Sequence, residues 1–79
     1  MIKNTELTEK QAEVLEYIKD FIAINHFSPT RAEIAKAFSI QPNAAQSRVT
    51  GLFKKGAVTM VEGKMRSIVP VKGFKVRVK

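Results

Sequence analysis

The side chains best suited to specific hydrogen bonding lie between residues 41 and 55 and repeat at a helical spacing. At about 100° per residue, one side collects amides, hydroxyls and a final cation: Asn43, Gln46, Ser47, Thr50 and Lys54. Asn and Gln can bond adenine bidentately, and Ser and Thr can contact several base edges. An ordinary solvated face usually mixes Glu and Lys, which pair at i, i+4. This acid-free pattern therefore favours base recognition. The alternative is an ordinary solvent-exposed helix face with no binding role.

The opposite side of the same segment is apolar and indicates how it is anchored. Ala45, Val49, Leu52 and Phe53 follow the i, i+4, i+7, i+8 pattern of a buried stripe. Pro42 suits the first helical position, and Gly56 suits a left-handed stop. We therefore expect helix 3 to run from Pro42 to about Lys55.

Two capping boxes predict the helices that precede this segment. Thr8 with Gln11 starts a helix over about residues 8–24, and Thr30 with Glu33 starts one over about 31–38. Pro29 disfavours helix at the residue before it, which separates the two.

After Gly56 the spacing of apolar residues changes from helical to extended. Residues 57–61 and 65–69 flank "EGK" and predict a β-hairpin. Residues 71–79 alternate between apolar and basic, which predicts either a third strand on that hairpin, after a turn at residues 72–73, or a basic arm that orders on a partner. The order of elements predicts an α+β fold, a three-helix winged helix-turn-helix with a C-terminal hairpin wing, as one domain over residues 1–79.

The charge distribution points to a polyanionic partner. The chain of 79 residues has a net charge of +7. Residues 1–35 hold six acids and four bases (about −2), whereas residues 36–79 hold one acid and ten bases (about +9). Such asymmetry is typical of nucleic-acid binding, with solubility as the simpler explanation.

The residue types also exclude several functions. The chain has no cysteine, no apolar run of about 18 residues and no signal-peptide pattern. It has no glycine-rich phosphate loop, metal cluster or catalytic set. We therefore expect a cytoplasmic protein that is not an enzyme, with no cofactor, metal or small-molecule substrate.

Further side chains are candidates for contacts with the DNA backbone. Thr30 and Arg31 lie at the start of helix 2, where a helix N-terminus favours phosphate. The remaining candidates are cations on helix 3 and at the wing tip: Arg48, Lys54, Lys55, Lys64 and Arg66. His26 is interpreted as structural or solvated, and Tyr17 and the phenylalanines as core.

With these residues in place, the sequence resembles the LexA family of repressors in its N-terminal DNA-binding domain. The matching segments are "LTEKQAEVLEYI", "SPTRAEIAKAF", "PNAAQSRVTGLFKKGAV" and "VEGKMRSI". They cover about residues 7–68, and "PTRAEIA" followed by "PNAA" is far more specific than a generic helix-turn-helix pattern.

The resemblance implies that helix 3 enters the major groove of double-stranded DNA. The family's DNA-contacting positions fall here on the start of helix 3: Gln41, Asn43, Ala44, Gln46 and Ser47. Asn43 and Ala44 match the family in type. Gln46 and Ser47 replace acidic residues typical of the enteric member, and Gln41 replaces a helix-capping serine. The operator sequence therefore does not carry over.

The family continues into a latent protease domain that also dimerises, and this chain has none of that part. We expect either a fragment or a small stand-alone protein, such as one from a phage or mobile element. The leading function is a sequence-specific transcriptional repressor, which we expect to dimerise on DNA or occupy tandem sites. The alternative is a winged-helix module that binds a host regulator or polymerase, and a weaker one is RNA binding.

Overall fold

Three helices followed by a hairpin form the framework, as the sequence predicts. The structure is a computed structural model that describes residues 6–61, 63–74 and 77–78. Its elements are β1 (Glu6–Leu7), α1 (Glu9–Asn25), α2 (Arg31–Phe38), α3 (Pro42–Lys54), β2 (Val58–Thr59), β3 (Val69–Pro70) and β4 (Arg77–Val78). The α+β winged helix-turn-helix architecture is confirmed.

Both predicted capping boxes start their helices. Thr8 Oγ1 accepts from the backbone N–H of Gln11 at 3.1 Å, while the Gln11 side chain accepts from Thr8 N–H at 3.0 Å. Thr30 and Glu33 make the same pair of bonds at 3.1 and 2.9 Å. Each box satisfies two N–H groups that the first helical turn leaves without partners.

The α3 helix is positioned by backbone conformation at both ends. Gln41 is its N-cap but makes no side-chain capping bond, and Pro42 takes the first position. At the other end Lys55 is the C-cap, and Gly56 has a φ of 82° in the left-handed region. Both predicted boundaries are thus found to within one residue.

The core lies where the three helices meet the hairpin. Its fully or nearly fully buried side chains are Leu7, Val14, Leu15, Ile18, Ile34, Ala35, Ala45, Val49, Leu52, Ala57, Val58 and Ile68. The predicted stripe of α3 is therefore confirmed for three of its members. It is wrong for Phe53, which is 45% exposed, because this position lies at the margin of the stripe and the thin core does not cover it. Phe27 is also about half exposed and is not core.

The hairpin, which we call the wing (residues 57–70), is confirmed but has a shorter ladder than its sequence suggests. The antiparallel register pairs Val58 with Pro70 and Thr59 with Val69. Beyond this ladder, the hydrogen-bond partner of the backbone is the Ser67 hydroxyl. It accepts from Val61 N–H at 3.0 Å and donates to the carbonyl of Lys64 at 3.0 Å. A side chain thus closes the tip where backbone pairing ends.

The proposed third strand exists but does not extend the wing, so that prediction is wrong. Gly73, with a φ of 84°, does form a turn with Lys72. The β4 strand then pairs in parallel with β1, aligning Glu6 with Arg77 and Leu7 with Val78. This pairing joins two segments at opposite ends of the sequence beside the fully buried Leu7. The alternation predicted for residues 75, 76 and 79 lies outside the described residues.

Candidate nucleic-acid interface

The polar face of α3 is presented to solvent as the helical spacing predicts. Asn43, Gln46, Ser47 and Lys54 are exposed, and Thr50 is partly buried. They line one open depression, joined by Gln11 and Gly51. No acid lines this depression. Anionic groups of DNA would therefore meet donors, hydroxyls and a cation there.

Gln11 belongs to this surface, although its sequence signal indicated only a cap. Its Oε1 accepts both from Thr8 N–H and from Lys55 Nζ, each at 3.0 Å. These two bonds orient the amide so that its donor group approaches α3. A Cβ at Gly51 would lie 2.5 Å from Gln11 Nε2, so the glycine makes this approach possible. A glycine inside a helix, which weakens it by roughly 1 kcal/mol, was the one available signal.

The remaining residues of α3 that the sequence predicts to contact DNA differ in how exposed they are and in what they bond. Gln41 is exposed and Ala44 partly buried at the start of the helix. Arg48 is partly buried and does not line the depression. Lys55 donates from Nζ to the carbonyl of Glu6 at 2.6 Å, as well as to Gln11, and thus ties the end of α3 to the N-terminal segment.

A second group of predicted residues meets between the start of α2 and the wing. Thr30, Arg31, Lys64 and Arg66 line one small cleft of about 140 Å³. They come from segments more than 30 residues apart in the sequence. The fold therefore concentrates three cations and a helix N-terminus on one side, an arrangement suited to phosphate.

Arg31 connects this cleft to the polar face of α3. It also lines a third depression with Gln46, Thr50, Phe53, Lys54 and Met60. Its guanidinium lies 3.5 Å from the Met60 sulfur. Its Nε is buried and has no hydrogen-bond partner among the described residues. A weak sulfur acceptor leaves most of the donor capacity of this guanidinium unused.

Arg66, in contrast, is bound to other parts of the chain. Its two terminal nitrogens each lie 3.0 Å from one carboxylate oxygen of Glu33. Arg66 also donates to the carbonyl of Ser28 at 3.0 Å, and its guanidinium carbon lies 4.6 Å from the centre of the Phe27 ring. The hydrogen bond from Arg66, followed by that from the Thr30 backbone, holds the pKa of the Glu33 carboxyl below its usual range. No pattern in the sequence indicates this ion pair.

Other kinds of site are not seen in the described part of the chain. No helix there is long and apolar enough to cross a membrane. Nor does any group of three acidic or histidine side chains converge as a metal site would require.

Comparison with known proteins gives a consistent result. The family model described as the LexA DNA binding domain matches residues 4–67. A LexA repressor of Marinomonas sp. (strain MWYL1) is 47% identical over 64 residues, which are 80% of this chain and 31% of that protein. LexA repressor 1 of Pseudomonas syringae pv. tomato (strain ATCC BAA-871 / DC3000) is 44% identical over 73 residues, or 91% of this chain and 36% of that protein. The chain thus spans about a third of the length of the curated relatives it matches.

Proposed function

Because this chain belongs to the LexA DNA-binding domain family, we propose that it binds a specific sequence in double-stranded DNA and represses transcription there. In this proposal α3 lies in the major groove and the wing lies along the backbone. Relatives that carry the matching region are repressors by name. The observation that carries the proposal is the acid-free row of amides and hydroxyls on the outward side of α3.

The proposed base contacts lie at the start and along the outward side of α3. They are Gln41, Asn43, Ala44, Gln46, Ser47 and Thr50. Side chains in the first turns of a recognition helix are the ones that reach base edges. The exposed amides of Asn43 and Gln46 have the donor–acceptor pairs that adenine requires.

The proposed backbone contacts flank this row on both sides. Arg31 and Lys64 meet at the cleft between α2 and the wing, and Lys54 follows the row at the end of α3. Phosphate contacts position a protein on the duplex without reading its sequence. In this proposal both kinds of contact lie on one side of the domain, with Arg31 bordering both the cleft and the α3 row.

We further propose that two copies occupy one operator. One module of this size offers a smaller interface than the roughly 1,000–2,500 Å² of typical specific complexes. Two modules on neighbouring half-sites would supply the missing area and the specificity of a longer site.

Binding to a randomised duplex library, followed by measurement on the selected sequence, tests this function. We expect an enriched motif and an affinity that falls steeply with salt, by about one unit of log–log slope per phosphate contact. A control duplex of shuffled sequence should bind more weakly with a similar slope. Absence of binding at low salt, or binding without any enriched motif, would overturn the proposal.

A further inference from the structure

At the wing tip, Arg66 contacts both the start of α2 and the segment before it. Its guanidinium forms two parallel bonds with Glu33, both 3.0 Å, in the fork geometry that gives such pairs their directionality. A third bond reaches the carbonyl of Ser28, and the same group lies over the ring of Phe27. Three of the five N–H donors of this guanidinium are thus bonded within the chain, which leaves fewer of them for a phosphate.

The backbone at Arg66 is also set for this position. Its φ of 56° lies in the left-handed region, which residues other than glycine rarely adopt. Next to it, the Ser67 hydroxyl closes the tip through Val61 and Lys64. An unfavourable conformation persists where surrounding contacts stabilise it, and here those contacts come from α2 and the segment before it.

Glu33 ties the same guanidinium to the helix-turn-helix unit. One of its oxygens accepts from Thr30 N–H at 2.9 Å in the capping box of α2 and also from Arg66 at 3.0 Å. The carboxylate therefore joins the first turn of α2 and the wing at one point. Lys64 and Arg31 line the cleft beside it.

We propose that Arg66 is a positioning residue that fixes the wing against α2 through Glu33, so that Lys64 and Arg31 face the same stretch of DNA backbone. This role replaces the direct phosphate contact that its charge alone suggests. The inference rests on the proposed DNA-binding function and states which residue sets the position of the wing for that function.

The two roles for Arg66 make opposite predictions for Glu33→Gln. If Arg66 binds phosphate and Glu33 is a bystander, loss of a negative charge near a polyanion should tighten DNA binding. If Arg66 acts through Glu33, the same change should weaken binding because the wing loses its anchor. Glutamine can keep the cap, since Gln11 performs that task in the capping box of α1. The substitution thus removes the ion pair and leaves the helix start intact.

The experiment is a double-mutant cycle on the selected duplex with Glu33→Gln, Arg66→Gln and both together. Each single change should weaken DNA binding about three- to fivefold, the upper range for a partly exposed pair. The double variant should bind the duplex no less tightly than the single variant with the lower affinity, because both changes break the same contact. Lys54→Gln serves as control: Lys54 lies on α3 in the open depression, away from the cleft with Arg66, so its loss should multiply with that of Glu33→Gln.

Melting curves and a titration without DNA complete the test. DNA binding is compared at a temperature where all variants are folded. A substitution that only lowers the stability of the fold would then leave the affinity for DNA unchanged. In the free protein, Arg66→Gln should return the Glu33 carboxyl titration, followed by NMR, toward its usual range.

Equal or tighter binding by Glu33→Gln, or multiplying effects of the two changes, would overturn the positioning role alone. An unchanged Glu33 titration in Arg66→Gln would overturn it as well. Absence of DNA binding by the unsubstituted protein would overturn the proposed function, and this role with it.

Discussion

Side chains of the same type serve different purposes in this molecule, according to what surrounds them. Arg31 has a buried Nε without a hydrogen-bond partner among the described residues, whereas Arg66 is bound to Glu33. Lys54 lines the open depression on α3, whereas Lys55 is bound to Glu6 and Gln11. The groups that Lys55 bonds are neutral, so they do not cancel its charge, but they fix the position of its ammonium group. We infer that the cations still available to DNA are the ones that flank the amides of α3.

The first prediction concerns Asn43→Ala. Removing an exposed amide at the start of α3 should relax sequence preference by about 1–3 kcal/mol at one base pair, with the salt slope nearly unchanged. Lys64→Ala should instead weaken binding to all sequences alike and reduce the slope by about one unit. Affinities for the selected motif and its single-base variants, measured at several salt concentrations, provide the comparison. Equal effects of the two substitutions would contradict a base contact by Asn43.

A second prediction concerns stability in acid and the carboxyl of Glu33. Its pKa is lowered chiefly by the hydrogen bond from Arg66 and then by that from the Thr30 backbone. A lowered folded-state pKa stabilises the fold above the usual glutamate range, and this contribution is lost as the pH falls through the lowered value. The effect should be modest because the pair is partly exposed. Melting temperature against pH should therefore fall less steeply in acid for Glu33→Gln. Parallel curves for the two proteins would argue that the pair adds no stability.

At the scale of elements, local signals predicted the helices and failed where distant segments meet. A capping box lies within four residues, so Thr8 and Thr30 reveal their helices directly. The outward face of α3 follows from the same local periodicity. The exposure of Phe53 depends on how far the core extends, and the partners of Arg66 lie 33 and 38 residues away in sequence. Neither feature can be recognised from the spacing of residues along the sequence.

A third prediction uses the two capping boxes as a matched pair. Thr8→Ala and Thr30→Ala remove equivalent bonds of 3.1 Å, so each should destabilise the fold by about 1 kcal/mol. In a domain of this size that corresponds to a melting temperature lower by roughly 4–8 °C. Only Thr30 borders the cleft with Arg31 and Lys64. Its hydroxyl still has a hydrogen to donate to a phosphate. Thr30→Ala should therefore bind DNA about fivefold more weakly than Thr8→Ala. Equal affinities would exclude a phosphate contact at Thr30.

For the whole molecule, the described segments near the two chain ends meet beside the end of α3. Leu7 is fully buried, the carbonyl of Glu6 accepts from Lys55, and Phe74 packs against the core. The β4 strand lies parallel to β1 in this region. Parallel pairing across the full length of a chain has no local sequence signal, which explains why the alternating tail suggested a wider wing. Its position supports a role in stability, in place of an arm that orders on DNA.

The last prediction separates these two roles of the tail with a matched pair of variants. Truncation after Phe74 removes β4 and with it the pairing to Glu6 and Leu7. Loss of a few backbone hydrogen bonds, at about 0.5–1.5 kcal/mol each, should lower the free energy of unfolding by roughly 1–3 kcal/mol. Replacing Lys75, Arg77 and Lys79 by Gln keeps the chain and removes only its charges, so this variant should melt close to the unsubstituted protein. Calorimetry and DNA binding at varied salt compare the two. If both variants melt normally and both lose DNA affinity, the tail is a DNA-binding arm; if only the truncated chain loses stability, β4 completes the fold that holds α3 in place.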